Sequence, residues 1–305
     1  MNMEKFYQVS DIAFDISGLA IQAMLYEVAC NPSPGLVSVV STGSHTDMDH
    51  YTFIDSTSSF IKYLVLSVQA GFSDEDPQDI LKKSRKLGIE AEKGMFKKTK
   101  GINTHKGMLF LMGICCIAIG KTIYDKKPFT EIKNIIKQMC RGLVEKELEP
   151  LKEKMNQYNS IEEMVKNEKL SYGEKLFVLY GMEGIRGEVE RGIPIVFDFA
   201  LDFYKSCSDL NKNDRLVNTL IGIMQYSEDS NVLHRHSMKE LKKMQQDAKK
   251  IIQEGGIKTI KGKNKIIEME KEFVKKGISP GGSADLLAIT VFLSLVEEYI
   301  DEISN

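Results

Sequence analysis

A run without a single polar side chain, residues 108–119 (MLFLMGICCIAI), constrains this chain more than any other segment. A helix that is apolar all round has no face to give to water, so other elements must wrap it. The run is shorter than the roughly 18 residues that cross a bilayer. No other apolar stretch reaches that length either, so the expected wrapping is protein, with no membrane partner.

The wrapping elements are legible from their spacing. Residues 11–30 carry Ile12, Phe14, Ile16, Leu19, Ile21, Leu25 and Val28, apolar almost all round. Phe60, Leu64 and Val68 recur with Ile61 and Val65 behind a cap expected at Asp55-Ser56. Asp76-Pro77 opens an amphipathic segment, with the proline suited to a first helical turn. Ile132, Ile135, Ile136, Met139 and Leu143 mark another helix, and residues 193–204 read as core helix. Leu241, Met244, Ala248, Ile251 and Ile252 mark one that ends at Gly255-Gly256. Residues 147–170 are rich in Lys and Glu and read as a solvated connection or exposed helix. The expectation is an all-α protein, one large helical domain over residues 1–305, with its site built from loops at helix ends.

Composition narrows the function classes. Hydrophobic residues at 42% and charged residues at 28% suit a soluble globular chain rather than a disordered one. A formal net charge of -2 leaves no electrostatic footprint for nucleic acid. The five cysteines show no CxxC spacing, and an odd number argues against a disulfide framework. With an N-terminus too charged for a signal peptide, a cytoplasmic location is expected.

Five polar, glycine- or proline-marked turns each open or close an apolar helix. In residues 27–49 (EVACNPSPGLVSVVSTGSHTDMD), prolines break the helix and Glu27, His45, Asp47 and Asp49 gather on the loop. Asp47 and Asp49 could equally cap the next helix. Residues 97–107 place Asn103, Thr104, His105 and Lys106 at the mouth of the apolar run, where free amides favour anions. Residues 180–192 collect glycines around Arg186 and Glu188, which could simply pair with each other. Residues 227–237 hold Asp229, Asn231, His234, Arg235 and His236; the histidines could share a metal, although no HExxH is present. Finally, SPGGSAD (Ser279, Gly281, Gly282, Ser283, Asp285) reads as a turn with Ser283 as N-cap, where glycines would let a polyphosphate reach free amides. It is neither a Walker A loop nor GxGxxG. All five histidines lie in or beside these turns. Carboxylates mixed with Lys106, Arg186 and Arg235 suit a nucleotide or polyphosphate with a divalent metal.

Taken in order, PSPGLV, GSHTDMD, NTHKG, GIRGE, DSN followed by Arg235, and SPGGSADLLA resemble the triphosphoribosyl-dephospho-coenzyme A synthases, from about Glu27 to Glu297. Two positions depart from that pattern: Ser33 stands where the family usually has lysine, and His236-Ser237 where it usually has Gly-Gly. The resemblance implies an all-helical transferase that joins ATP to dephospho-coenzyme A and releases adenine. Its product would be the precursor of the citrate lyase or malonate decarboxylase prosthetic group, passed to an acyl-carrier-protein loading enzyme. It implies Mg2+ with ATP and is compatible with a homo-oligomer. On this reading Glu27, Asp47 and Asp49 are candidate metal ligands, and Glu188, Asp49 and Asp229 are catalytic candidates with Glu188 as base. His45, Asn103, His105, Lys106, Arg186, Asn231, Arg235, Ser279, Gly281, Gly282, Ser283 and Asp285 would bind substrate. The alternatives are a helical metal-dependent nucleotide phosphohydrolase and a non-catalytic nucleotide- or coenzyme-A-binding protein.

Overall fold

The computed structural model describes residues 9–304. Its first half contains α1 (Asp11–Ala29), α2 (His50–Ser58), α3 (Ile61–Gly71), α4 (Pro77–Lys98), α5 (Lys106–Tyr124) and α6 (Ile132–Cys140). Short helices follow: α7 (Leu143–Glu147), α8 (Glu149–Met155), α9 (Ile161–Asn167), α10 (Tyr172–Tyr180) and α11 (Gly184–Glu190). A π-helical turn at Val196–Ala200 leads into α12 (Leu201–Lys205). The chain then forms α13 (Lys212–Met224), α14 (Ser230–Arg235), α15 (Met238–Gln253), α16 (Ile260–Lys276) and α17 (Gly281–Ser304). No strand occurs among the described residues.

Two helices act as axes. Helix α5 is wrapped by α3, α4, α6 and α17, and α17 is wrapped by α1, α5, α12 and α13. The α3–α5 crossing is backbone on backbone: a Cβ on Gly71 would lie 2.3 Å from the Ile117 carbonyl oxygen, and one on Gly120 2.1 Å from that of Val68. Only glycine permits that approach. One apolar core runs from Ala13 on α1 to Ile300 on α17. A second, small cluster of Val28, Val37 and Met48, with Phe53 and Ile102 against it, seats the loop between α1 and α2.

Four expectations need correction. Asp55 and Ser56 lie inside α2 rather than capping α3, whose N-cap position is Phe60. Helix α17 begins at Gly281, so Ser283 sits within its first turn and is not its cap. Residues 193–204 are not one regular helix: Ile193 takes a left-handed φ of 52° and the π turn follows. By length and composition α1 and α5 are both long and apolar enough to cross a membrane; 72% of the α5 window is nevertheless buried inside the protein. Polar end residues such as Lys106 and Lys121 extend α5 beyond its strictly apolar run, which is why the run alone understated it.

Candidate active site

Four of the five polar turns meet at the start of α17, which is itself one of them. Asp229 is the tie. Its Oδ1 accepts the Asn231 and Val232 amides at 3.0 and 3.3 Å, capping α14. Its Oδ2 accepts the Ser283 amide at 2.8 Å and the Ser283 hydroxyl at 3.1 Å. One buried carboxylate thereby satisfies free amides of two helix starts, where the helix dipole also favours negative charge. The glycines make this approach feasible, since a Cβ on Gly281 would meet Asn231 Nδ2 at 2.6 Å and one on Gly282 the Asp229 carboxylate at 3.2 Å.

The loop after α1 is laced to the same turn. Ser44 Oγ donates to the Ile278 carbonyl at 2.6 Å, and His45 Nε2 lies 2.9 Å from Ser279 Oγ. His45 Nδ1 faces Asp47 at 3.6 Å. Burial and the Arg235 charge push the His45 pKa down, against the opposing pull of Asp47, which favours a neutral ring.

The start of α5 completes the cluster. A Cβ on Gly107 would lie 2.3 Å from Asp285 Oδ2, so the Asp285 carboxylate rests directly on that helix start. Asn103 accepts the Lys106 amide at 3.1 Å, and Lys106 Nζ pairs with Glu92 at 2.7 Å. His105 is buried between the edges of Phe53 and Phe60. Thr104 donates to Ser56 Oγ at 2.6 Å, and Ser56 Oγ lies 2.8 Å from His105 Nδ1. The opposite nitrogen, Nε2, is buried without a partner among the described residues. Burial takes the His105 pKa down to about 3.

Two carboxylates here make no hydrogen bond within the described protein: Glu27, buried at the end of α1, and Asp285. Burial raises the Glu27 pKa to about 8. Burial, then the charges of Glu27 and Asp229, hold Asp285 well above the usual carboxylate range. Uncompensated, enclosed carboxyls of this kind are frequent at sites that move protons or receive cations.

Other expected residues are engaged elsewhere. Asp49 caps α2, its Oδ1 accepting the Thr52 amide at 2.9 Å and the Thr52 hydroxyl at 2.8 Å. Arg186 pairs with Glu147 at 2.7 Å and not with Glu188. Glu188 accepts the Ile195 amide at 3.0 Å, and burial raises its pKa. His236 Nε2 lies 3.0 Å from the Gly277 carbonyl oxygen, whereas His234 stacks on Tyr172, so the two rings have separate partners. Ser33, at the position of the absent lysine, is buried, and its amide donates to Glu270 at 3.3 Å. Among the described residues no three His, Cys, Asp or Glu side chains meet as a metal-binding group, so Glu27, Asp47 and Asp49 are not brought together as one. Sequence reasoning missed Ser56, Glu147 and Tyr172 as the partners of His105, Arg186 and His234, since they lie outside the glycine-marked turns.

A family model described as ATP:dephospho-CoA triphosphoribosyl transferase matches residues 13–304. The chain belongs to that family. A probable 2-(5''-triphosphoribosyl)-3'-dephosphocoenzyme-A synthase of Malonomonas rubra is 37% identical over 300 residues, covering 97% of this chain and 92% of the relative. The similarly named protein of Streptococcus mutans is 34% identical over 310 residues, covering 96% of this chain and all of the relative. No solved structure matches. Membership of the triphosphoribosyl transferase family thus covers every turn that meets at α17.

Proposed function

We propose that this chain transfers the 5-triphosphoribosyl group of ATP to a ribose hydroxyl of dephospho-coenzyme A and releases adenine. The observation that carries the reading is the meeting of the family's motif turns around the start of α17, with Asp229 joining two of them. The product would be a prosthetic-group precursor of the citrate lyase or malonate decarboxylase type, as the resemblance implies.

In such a transfer the bond from the anomeric carbon to adenine breaks with its electron pair going to the base. A bond from that carbon to the acceptor oxygen forms, through an oxocarbenium-like transition state. The acceptor hydroxyl must lose a proton and the adenine must gain one. Glu188 is the proposed proton acceptor, oriented by the Ile195 amide and made more basic by burial. Asp229 is a weaker candidate than its place in the sequence suggested, because both its oxygens already accept hydrogen bonds. Arg235, with Lys106 and Arg186 once freed from Glu92 and Glu147, would meet phosphate oxygens.

Magnesium fits as a companion of the triphosphate, because Mg2+ in such sites is held mainly by phosphates and water with one or two carboxylates. Glu27, Asp47 and Asp285 make no hydrogen bond to the described protein stronger than the long Asp47–His45 contact. They are the proposed carboxylates on its side of the site, and the ion would neutralise charge on the triphosphate.

The test is chromatography of reactions containing ATP and Mg2+, with and without dephospho-coenzyme A. Adenine that appears only with the acceptor, beside a product heavier by a triphosphoribosyl unit, supports the proposal. Phosphate release without adenine would replace it with a phosphohydrolase.

A further inference from the structure

Beside the site, the first turn of α10 carries a surface that none of the glycine-marked turns contains. The Tyr172 ring lies on the His234 ring with centroids 3.7 Å apart and planes tilted by 36°. Tyr172 nevertheless remains 57% exposed. One aromatic face is therefore covered and the other is open. The neighbouring Gly173 fixes this turn against α11: a Cβ there would lie 3.1 Å from Arg186 Nη1. Helix α10 thus bridges the GIRGE and DSN segments, leaning on both.

Two cations flank the stacked pair. Lys175 lies one helical turn on from Tyr172 in α10, and Arg235 follows His234 in α14. Partial burial, and then the charges of these two cations, push the His234 pKa down and favour a neutral ring. The Arg235 charge acts on His45 as well, at the cluster by α17. Nearby cations are paired: Lys106 with Glu92, Arg186 with Glu147 and Arg191 with Glu183. Among the described residues, the Lys175 and Arg235 side chains have no hydrogen bond or ion pair. An open aromatic face between two uncompensated cations matches a purine ring attached to an anionic phosphate chain.

We propose that the start of α10 seats the adenosine diphosphate half of the acceptor, with its adenine on Tyr172 and its diphosphate between Lys175 and Arg235. This rests on the transferase reading above. Both substrates carry adenine, and geometry separates them. With its triphosphate and magnesium at the carboxyls Glu27, Asp47 and Asp285, ATP would occupy the cluster itself. The acceptor keeps its adenine, and its long pantetheine arm must run out along the surface. An exposed lip at the edge of the cluster suits the acceptor.

The probe is etheno-dephospho-coenzyme A, whose fluorescent base can be followed without interference because the chain has no tryptophan. Titration into the full-length protein should show the quenching expected of a stacked base. Tyr172→Ala should weaken its binding about tenfold, and Tyr172→Phe should preserve it, since stacking and not the hydroxyl is at work. Lys175→Ala should weaken binding and flatten its salt dependence. In turnover assays the KM for dephospho-coenzyme A should rise in Tyr172→Ala and Lys175→Ala while the KM for ATP stays unchanged, which also reports that both variants are folded. Variants that keep wild-type acceptor affinity, or that raise the KM for ATP instead, overturn this proposal while adenine release by the wild type still stands. A wild type that neither binds the probe nor releases adenine overturns it together with the transferase reading.

Discussion

His45 Nε2 and Ser279 Oγ lie 2.9 Å apart although 234 residues separate them in the chain. This contact joins the loop after α1 to the turn before α17, and Asp47 faces the opposite nitrogen of the same ring. The ring therefore aligns two of the segments proposed to hold ATP. A positioning contact of this kind predicts coupling. His45→Ala and Ser279→Ala should each slow adenine release by about tenfold to a hundredfold, and the double variant should be little worse than either. Fully additive losses in kcat/KM would mean that the two residues act separately.

Gly107 offers a test of whether Asp285 must sit on the start of α5. Alanine at 107 would press its Cβ to within 2.3 Å of Asp285 Oδ2 and displace the carboxylate. Gly113, on the same helix, faces nothing within 4 Å. Gly113→Ala should therefore raise stability by up to about 1 kcal/mol, the usual helix preference for alanine. Gly107→Ala should lose that gain and reduce adenine release at least tenfold. Comparable thermal shifts and unchanged activity in both would remove Asp285 from the site.

The helices were largely legible because burial imposes a period on the sequence. The α5 run and Asp76-Pro77 gave elements close to those observed, and Asp76 does accept the Gln78 amide at 2.9 Å. The 132–143 stripe gave α6 but ran too far, because the left-handed Gly142 ends that helix at Cys140 and puts Leu143 in α7. Misreadings arose where a polar residue serves two local roles. Ser283 looks like an N-cap because serine can satisfy free amides, yet it donates to Asp229 from inside α17. The glycine-marked turns announced which segments matter, and the resemblance gave them a shared purpose. Their partners could not be read: nothing in the sequence ties Arg186 to Glu147 or His105 to Ser56, because those contacts span 39 and 49 residues. Tyr172 was hidden for the same reason, since a single aromatic in a polar stretch carries no period.

Asp229 predicts a loss of stability before a loss of chemistry. Its four accepted hydrogen bonds join the starts of α14 and α17. Asp229→Asn replaces one accepting oxygen by an NH2 group, which would face either the α14 amides or the Ser283 donors. A buried donor left unsatisfied costs about 1–3 kcal/mol, and more where a charged acceptor is lost. Urea unfolding should show a drop of about that size with an unchanged slope. An unchanged midpoint with abolished turnover would instead return Asp229 to a direct chemical role.

Glu27 should behave oppositely in stability and activity. Its carboxyl titrates at about 8 in the folded chain because burial disfavours the charge, whereas an unfolded glutamate titrates near 4.3. Between those values the folded state holds a proton that the unfolded state has released. Stability from this group is therefore complete below about pH 4.3, falls as pH rises, and is lost above about pH 8. The change should reach a few kcal/mol, since each tenfold difference in proton affinity between the two states is worth about 1.4 kcal/mol. Glu27→Gln keeps the shape without the charge. In buffer free of nucleotide and magnesium, its melting temperature should exceed that of the wild type at pH 8 and approach it towards pH 4.5. Adenine release should fall in the same variant, because a group placed uncompensated in a site trades stability for function. A melting difference that does not change with pH would show that Glu27 is not held as a buried, titrating carboxyl.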